Sequence, residues 1–149
     1  MAARYEAPRC AFAAMLAALA AWAPAARAEL SARSNYMIHC QGCHLADGSG
    51  HEPDVPSLAQ LGRFVALDAG RRYLAQVPGA SQAPISDREL AAVLNWVLAT
   101  FSAGALPADF SGYTEGEVAR YRHDRPLDIL AVRRALLDAL VDTTVSSTR

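Results

Sequence analysis

The sequence has 149 residues, which is enough for one small domain with additional segments but not for two full domains. It carries 14 basic residues, all of them arginine, and 15 acidic residues, so its net charge is −1 with neutral histidines. This balance argues against a nucleic-acid-binding protein, because such a protein presents a basic face.

The N-terminal segment has the pattern of a signal peptide. An arginine-containing start and the apolar run 10–23 precede Ala26-Arg27-Ala28, which supplies a small-x-small cleavage site. We therefore predict a signal peptide over residues 1–28, cleaved after Ala28, and a periplasmic mature protein. The apolar run is shorter than the roughly twenty residues of a membrane span. We expect no stable membrane span after cleavage, and an uncleaved anchor is the alternative.

Cleavage would change both the charge and the cysteine content of the chain. The mature protein from Glu29 has 11 arginines and 14 acidic residues, a net charge of −3. Cys10 leaves with the signal peptide, so only Cys40 and Cys43 remain. We expect no structural disulfide, although the periplasm is oxidising, because the pattern around these two cysteines assigns them another use.

Residues 31–40 are predicted to form the first helix of the mature chain. Ala32, Tyr36 and Cys40 recur at i, i+4 and i+8, so they share one face of that helix. The aromatic ring of Tyr36 is therefore expected to be a core side chain.

This helix leads into Cys40-Gln41-Gly42-Cys43-His44, the C-x-x-C-H pattern of covalent c-type haem attachment. Two thiols at this spacing are able to form one thioether each with the two haem vinyl groups. The following residue, His44, then supplies the proximal iron ligand. The pattern predicts one covalent haem c on Cys40 and Cys43, with His44 as the metal ligand.

A C-x-x-C pair has two other common uses. A thioredoxin-like dithiol belongs in a βαβ setting, and no strand-rich run precedes this pair. A zinc site would need a second pair of ligands at a regular spacing, and only His39 and His51 are nearby. Haem attachment is the interpretation that we adopt.

With these features the chain resembles the class I c-type cytochromes over residues 29–104. The resemblance implies a small all-α domain built around the haem. It also implies that the N-terminal helix crosses the C-terminal helix of that domain, with Ala32 allowing the close approach. In this family the role of the aromatic at position 36 is packing, which agrees with the helical pattern.

Residues after the haem motif extend the resemblance. Asp47-Gly48-Ser49-Gly50 is a predicted polar turn. By resemblance, the carbonyl of Pro56 accepts a hydrogen bond from the free ring N–H of the proximal histidine, which fixes the tautomer of that ring. Leu58 is expected to pack on the haem edge, and Arg63 is expected to contact a haem propionate, although a solvated surface arginine is the alternative.

Two further helices are predicted in the haem domain. Asp68 is expected to cap a short helix that runs through Val77, and its Tyr73-Leu74 pair resembles the family's Tyr-Leu over the haem. Val77-Pro78-Gly79 is expected to end that helix. The clearest helix follows the capping box 86–89 and runs to Phe101 on apolar residues at helical spacing. Trp96 on this helix stands where an aromatic usually packs on the N-terminal helix.

The resemblance has no counterpart for residues 105–149, which we treat as a helical C-terminal extension. A second capping box, Thr114-Glu115-Gly116-Glu117, predicts a short polar helix. Pro126 is expected to be the first residue of a last helix that runs to Val141. We expect the extension to pack on the haem domain or on a partner, and residues 143–149 to fray.

The sequence departs from the family at the distal iron ligand, which is usually a methionine between the Tyr-Leu helix and the C-terminal helix. The chain has only Met1, Met15 and Met37, and alignment of Pro78-Gly79 places Gln82 where that methionine would be. One interpretation is an iron that is five-coordinate or holds water, hydrogen-bonded by Gln82.

The sequence leaves other distal ligands open. His123 is the histidine that is free to approach the distal face, whereas His51 precedes Pro56 on the proximal side. Met37 is a further alternative, although it lies on the N-terminal helix. The alternative for both histidines is that they are surface residues without a role in iron binding.

The predicted function is that of an exported mono-haem c-type cytochrome that transfers electrons between periplasmic redox proteins. It is not predicted to be an enzyme, and its partners are redox proteins rather than nucleic acid. The alternatives are a haem protein whose open sixth site binds a small ligand such as nitric oxide, carbon monoxide or peroxide, and a haem subunit of a periplasmic dehydrogenase.

Overall fold

Helices are the regular elements of residues 29–146, which is the part of the chain that a computed structural model describes. Side chains are described through Asp142. The predicted signal peptide lies outside the described residues. The predicted all-α class is confirmed, and the one β-type pairing in the described range is an isolated bridge between His51 and Val55.

The described range contains seven α-helices and two short 3-10 turns. The helices are α1 (Ala32–His39), α2 (Leu61–Phe64), α3 (Asp68–Gln76), α4 (Pro78–Ser81), α5 (Asp87–Phe101), α6 (Glu115–Arg122) and α7 (Ile129–Ser146). The 3-10 turns are Leu58–Gln60, directly before α2, and Ala103–Ala105, after α5.

Side-chain caps set the start of α1 and α5. The Ser31 hydroxyl accepts a hydrogen bond from the backbone N–H of Ser34. The Ser86 hydroxyl accepts from the Glu89 N–H, and the Glu89 carboxylate accepts from the Ser86 N–H, so the predicted capping box is confirmed. Both helices therefore begin where the sequence predicts.

The start of α3 and the segment after it differ from the prediction. Leu67 occupies the N-cap position and Asp68 is the first helical residue, so Asp68 is not the cap. Its carboxylate lies in the first turn, where it still suits the positive end of the helix dipole. The helix ends at Gln76, one residue before the predicted end, and Pro78 then begins the short helix α4 because a proline fits the first helical position.

Three predictions about the extension were also wrong, namely its capping box and both ends of its last helix. The Thr114 hydroxyl caps α6 through the Glu117 N–H, but the Glu117 carboxylate pairs with Arg71, so the reciprocal half of the capping box is missing. The last helix begins at Ile129 rather than Pro126, since Asp128 accepts a hydrogen bond from the Ala131 N–H and acts as the cap. That helix continues to Ser146, beyond the predicted end.

The crossing of α1 and α5 forms the smaller of two hydrophobic clusters. The ring of Tyr36 is almost fully buried, with centroids 5.1 Å from Trp96 and 5.4 Å from Phe101. Trp96 itself is half-buried. The predicted contact between the N-terminal helix and Trp96 is therefore present. The buried members of the cluster are Tyr36, Leu58, Val93 and Val97.

The larger cluster joins the predicted haem domain to the C-terminal extension. Its buried members come from α2 to α7 and the segments between them, and they are Phe64, Val65, Tyr73, Leu74, Ala75, Leu90, Ala91, Leu94, Leu98, Tyr113, Val118, Leu136 and Leu140. The Tyr73-Leu74 pair therefore contacts the extension. Of the two predicted placements of the extension, packing on the haem domain is the one observed.

A mostly buried ion pair strengthens this contact. Arg71 on α3 donates from Nε and Nη2 to the two carboxylate oxygens of Glu117, each at 2.7 Å, and from Nη2 to the Gly112 carbonyl at 2.7 Å. Its guanidinium also lies over the rings of Phe110 (5.2 Å) and Tyr113 (4.6 Å). The bond to Glu117 raises the pKa of Arg71, so the charge is retained. α3 and α6 are thus held by a bidentate, charge-assisted contact.

Candidate functional site

Backbone hydrogen bonds continue the last turn of α1 through the C-x-x-C-H motif. The N–H groups of Cys40 and Gln41 both donate to the Tyr36 carbonyl, at 2.9 and 3.0 Å. Those of Cys43 and His44 both donate to the Cys40 carbonyl, at 3.1 and 2.9 Å. The two thiols and the imidazole are therefore carried by one compact turn directly at the end of a helix.

Both thiols of the motif are free in the structure. Cys40 is half-buried and Cys43 is exposed. Burial, and secondarily the neighbouring Cys43, raises the pKa of Cys40. The two sulfur atoms are available for bonds to a group that approaches from outside.

His44 has the properties expected of a metal-binding imidazole. Burial lowers the pKa of His44, which favours the neutral imidazole, the form that binds metal ions. Its Nδ1 atom is buried and has no hydrogen-bond partner among the described residues. Because buried polar atoms are nearly always paired, Nδ1 requires an acceptor, which leaves the other ring nitrogen, Nε2, for a metal ion. The carbonyl of Pro56, which is half-buried, does not accept a bond from Nδ1 in this structure.

Tyr36 is a site residue whose polar role was missed by sequence reasoning. Its hydroxyl donates to the Leu45 carbonyl at 2.7 Å and to the His44 carbonyl at 3.2 Å. Burial raises the pKa of Tyr36, so the hydroxyl keeps its proton. The side chain thus holds the backbone that carries the imidazole. The choice of tyrosine rather than phenylalanine was the only signal of this role.

The polar turn after the motif forms as predicted. Asp47 accepts hydrogen bonds from the N–H and the hydroxyl of Ser49, at 3.0 and 2.6 Å. Gly48 has a φ of 77°, a left-handed conformation that favours glycine, and a Cβ there would clash with the ring of Phe101. The Gly48 carbonyl accepts from the Leu58 N–H at 2.8 Å. The turn thereby joins the motif to the segment that bears Leu58.

Apolar side chains from three parts of the chain gather beside Cys40. Leu58, predicted to pack on the haem edge, is buried in the same cluster as Tyr36. The half-buried Leu61 and Ile85 pack against that cluster, as does Cys40 itself. The neighbourhood of the first thiol is therefore apolar, as the attachment of a large apolar group requires.

Arg63 faces the extension, at a cavity that it shares with Leu61. It is exposed and lines a surface cavity of about 240 Å³ between the 52–64 segment and α7. Arg133 also lines the cavity, as do apolar residues of α7, whereas no residue of the C-x-x-C-H motif does. The structure therefore gives no contact between Arg63 and the motif, and its propionate role stays a prediction.

The residues considered as distal ligands are all on the surface. Gln82, His51 and His123 are exposed, and Met37 is 52% exposed on α1. His123 is the C-cap residue of α6. None of these side chains has a described hydrogen bond that directs it towards His44.

The alternative uses of the C-x-x-C pair find no support in the described range. Within residues 29–146 no group of three or more His, Cys, Asp or Glu side chains is arranged to hold a metal ion. The helical architecture also lacks the βαβ setting of a thioredoxin-like dithiol. The geometry fits the attachment of an external prosthetic group best.

Comparison with known proteins finds relatives named cytochrome c-552. One, from Thermus thermophilus, is 30% identical over 118 aligned positions, which cover 65% of this chain and 90% of the relative. Another, from a particular strain of the same species, is 30% identical over 118 positions, covering 65% of this chain and 80% of the relative. No protein-family model matches the chain. No helix in the described part of the chain is long and apolar enough to cross a membrane.

Proposed function

Because this chain belongs to the c-type cytochromes, we propose that it is an exported electron carrier with one covalent haem c. The observation that carries the proposal is the C-x-x-C-H turn itself. It combines two free thiols with a half-buried imidazole whose buried Nδ1 has no partner among the described residues. The anchoring residues are Cys40 and Cys43, and the proximal ligand is His44.

The chain holds and orients the prosthetic group rather than performing chemistry with its side chains. Haem c, when bound, supplies an iron that gains and loses one electron. Cys40 and Cys43 fix the group covalently, and His44 offers the neutral imidazole. Tyr36 fixes the backbone of that imidazole through its hydroxyl. No catalytic side chain is required for outer-sphere electron transfer.

Two further residues support the orientation of the group. We propose that the Pro56 carbonyl accepts the Nδ1–H of His44 once the ring is coordinated, since Nδ1 is buried and free of any other bond among the described residues. We propose Arg63 as a propionate contact on resemblance alone. The exposure of Arg63 leaves it free to turn towards solvent-facing carboxylates.

The sixth coordination position is proposed to be open or to hold water. The sequence has no methionine after Met37, and Gln82 is the residue that aligns with the usual ligand. This observation favours the binding of a small molecule such as carbon monoxide or nitric oxide as a second function. Closure by His123 is the competing assignment.

The partners and the compartment are also part of the proposal. The predicted signal peptide and the relatives named as cytochromes support export to the periplasm. The partners would be redox proteins, and the apolar surroundings of Cys40 suit exchange at a haem edge. A haem subunit of a periplasmic dehydrogenase would use the same chemistry with a permanent partner.

A potentiometric titration of the purified exported protein, followed by absorbance, tests the carrier function. A single reversible one-electron transition is expected. Its potential should lie below that of methionine-ligated relatives, since a thioether ligand raises the potential. Two or more transitions, or no reversible transition, would contradict the proposal.

Carbon monoxide then tests the sixth position. The ferrous protein is expected to bind carbon monoxide readily. Slow binding in the wild type that becomes fast in His123→Ala would assign the site to His123 instead. A methionine–iron charge-transfer band in the ferric spectrum would contradict both assignments and favour Met37.

A further inference from the structure

Arg122, the last residue of α6, sends its side chain into the segment that joins α4 to α5. Its Nε donates to the Ser81 carbonyl at 3.1 Å, Nη1 donates to the Ile85 carbonyl at 2.7 Å, and Nη2 donates to the Ala83 carbonyl. Nη1 also donates to the Asp87 carboxylate at 2.9 Å. One side chain of the extension therefore binds four positions between residues 81 and 87.

This contact is unusual because the arginine is buried. The Arg122 side chain is 8% exposed, and the carboxylate of Asp87 that balances its charge is 26% exposed. A buried charge is tolerated only when it is paired and hydrogen-bonded. The planar fork of an arginine reaches several acceptors at fixed angles, whereas a lysine presents a single compact charge. The site is thus specific for arginine.

The bound segment and the C-x-x-C-H motif pack against the same hydrophobic cluster. Ile85 packs against the cluster that contains Leu58 and Tyr36, and Cys40 packs against the same cluster. Gln82 lies near the start of the segment, between the Ser81 and Ala83 carbonyls that Arg122 holds. A change in the conformation of residues 81–87 would therefore act on the cluster against which Cys40 packs.

The contacts within the segment itself are few. The N–H groups of Gln82, Ala83 and Ile85 donate to the carbonyls of Pro78, Ala80 and Ala83, at 3.1, 3.3 and 2.8 Å. None of these bonds reaches α5 or α6. The tertiary hydrogen bonds of residues 81–85 in the described structure come from Arg122.

We propose that Arg122 is a positioning residue through which the C-terminal extension fixes residues 81–87 beside the haem and limits the access of external ligands to the iron. This inference rests on the proposed function, because it assumes a haem with an open or water-held sixth position. The extension thereby acts on ligand access as well as on stability. No covalent or redox step is assigned to Arg122.

The test compares Arg122→Met with wild type in the haem-loaded protein. Arg122→Lys keeps the positive charge but loses the planar guanidinium that reaches several acceptors at once. Arg120→Met is the matched control, because Arg120 is exposed on the same helix and has no hydrogen bond to residues 81–87 in the described structure. Arg71→Met is the control for lost stability, since Arg71 holds the extension through Glu117 without contact to that segment.

Two readouts separate positioning from a merely structural role. Amide hydrogen exchange across residues 78–87 should be about tenfold faster or more in Arg122→Met, since each bond to a charged group is worth at least that factor. The association rate of carbon monoxide with the ferrous protein should rise by a similar factor if opening of the segment limits access. Arg122→Lys should resemble Arg122→Met, and Arg120→Met should resemble wild type.

Three results would overturn the inference. The first is unchanged exchange in residues 78–87. The second is faster exchange with an unchanged carbon monoxide rate. The third is an equal rise in the carbon monoxide rate in Arg71→Met, which would make loss of stability the cause. A wild-type protein without covalent haem would instead overturn the proposed function.

Discussion

Replacement of Tyr36 by phenylalanine separates two roles that this side chain combines. The ring fills the junction of α1 and α5, and the hydroxyl binds the backbone after the haem cysteines. Tyr36→Phe keeps the ring and removes only the hydroxyl. The change in the free energy of unfolding therefore reports on the hydrogen bonds alone.

The structure sets the size of the expected effect. One hydroxyl donor serves the Leu45 carbonyl at 2.7 Å, and the longer contact to the His44 carbonyl at 3.2 Å shares the same proton. The hydrogen bond is only partly buried and Leu45 as a whole is 42% exposed, so we expect water to replace the lost donor at that carbonyl. We expect the free energy of unfolding to fall by about 1 kcal/mol, the usual net value of one hydrogen bond. A fully buried carbonyl left without any donor would cost more.

Guanidinium unfolding of the haem-loaded protein, followed by far-UV circular dichroism, measures this loss. Tyr121→Phe is the matched control, because the Tyr121 hydroxyl makes no hydrogen bond in the described structure. This substitution should change the free energy of unfolding by no more than about 0.5 kcal/mol. Equal stability of Tyr36→Phe and wild type would show that the hydroxyl does not hold the motif. A loss above about 3 kcal/mol would mean that the carbonyls are inaccessible to water.

Three further predictions concern packing, an ion pair and a cap. Trp96→Ala should cost about 3 kcal/mol, the lower end for aromatic truncation because Trp96 is half-buried; unchanged thermal stability would contradict the packing. Glu117→Gln should cost about 3 kcal/mol by removing the carboxylate that balances the mostly buried charge of Arg71, and an unchanged free energy of unfolding would refute it. Hydrogen bonds from Ser86 lower the pKa of Glu89 below its ordinary value of 4.5. The ionised Glu89 carboxylate therefore stabilises the folded protein fully above pH 4.5, and this contribution is lost as the pH falls through the lower pKa that Glu89 has in the folded state. Glu89→Gln should therefore lower the melting temperature at neutral pH but not in acid, and a pH-independent difference would contradict this.

Local signals predicted the parts of the fold that local interactions determine. The capping box at Ser86 and the helical spacing to Phe101 gave α5 correctly, because both act within a few residues of each other. The same pattern failed at Glu117, since Arg71 lies 46 residues away and provides a stronger partner for the carboxylate. A capping box read from sequence therefore predicts the start of a helix better than the partner of its acidic residue.

The sequence predicted the chemistry of the candidate site but not the long-range contacts that hold the segments around it. The C-x-x-C-H pattern identifies Cys40 and His44 because covalent attachment requires those residues at that spacing. The contacts of Arg122 with residues 81–87 span 35 to 41 positions, and nothing in the local sequence distinguishes this arginine from the others. Such long-range contacts become visible only when α6 is seen to pack on α5.

The intact mass of the denatured, purified protein tests the central claim most directly. The account predicts the mass of the chain from Glu29 plus one haem, retained through acid–acetone extraction, and loss of that retention in a Cys40→Ser, Cys43→Ser double variant. The bare-chain mass in the wild type, or haem that is extracted from it by acid–acetone, would contradict covalent attachment to this motif.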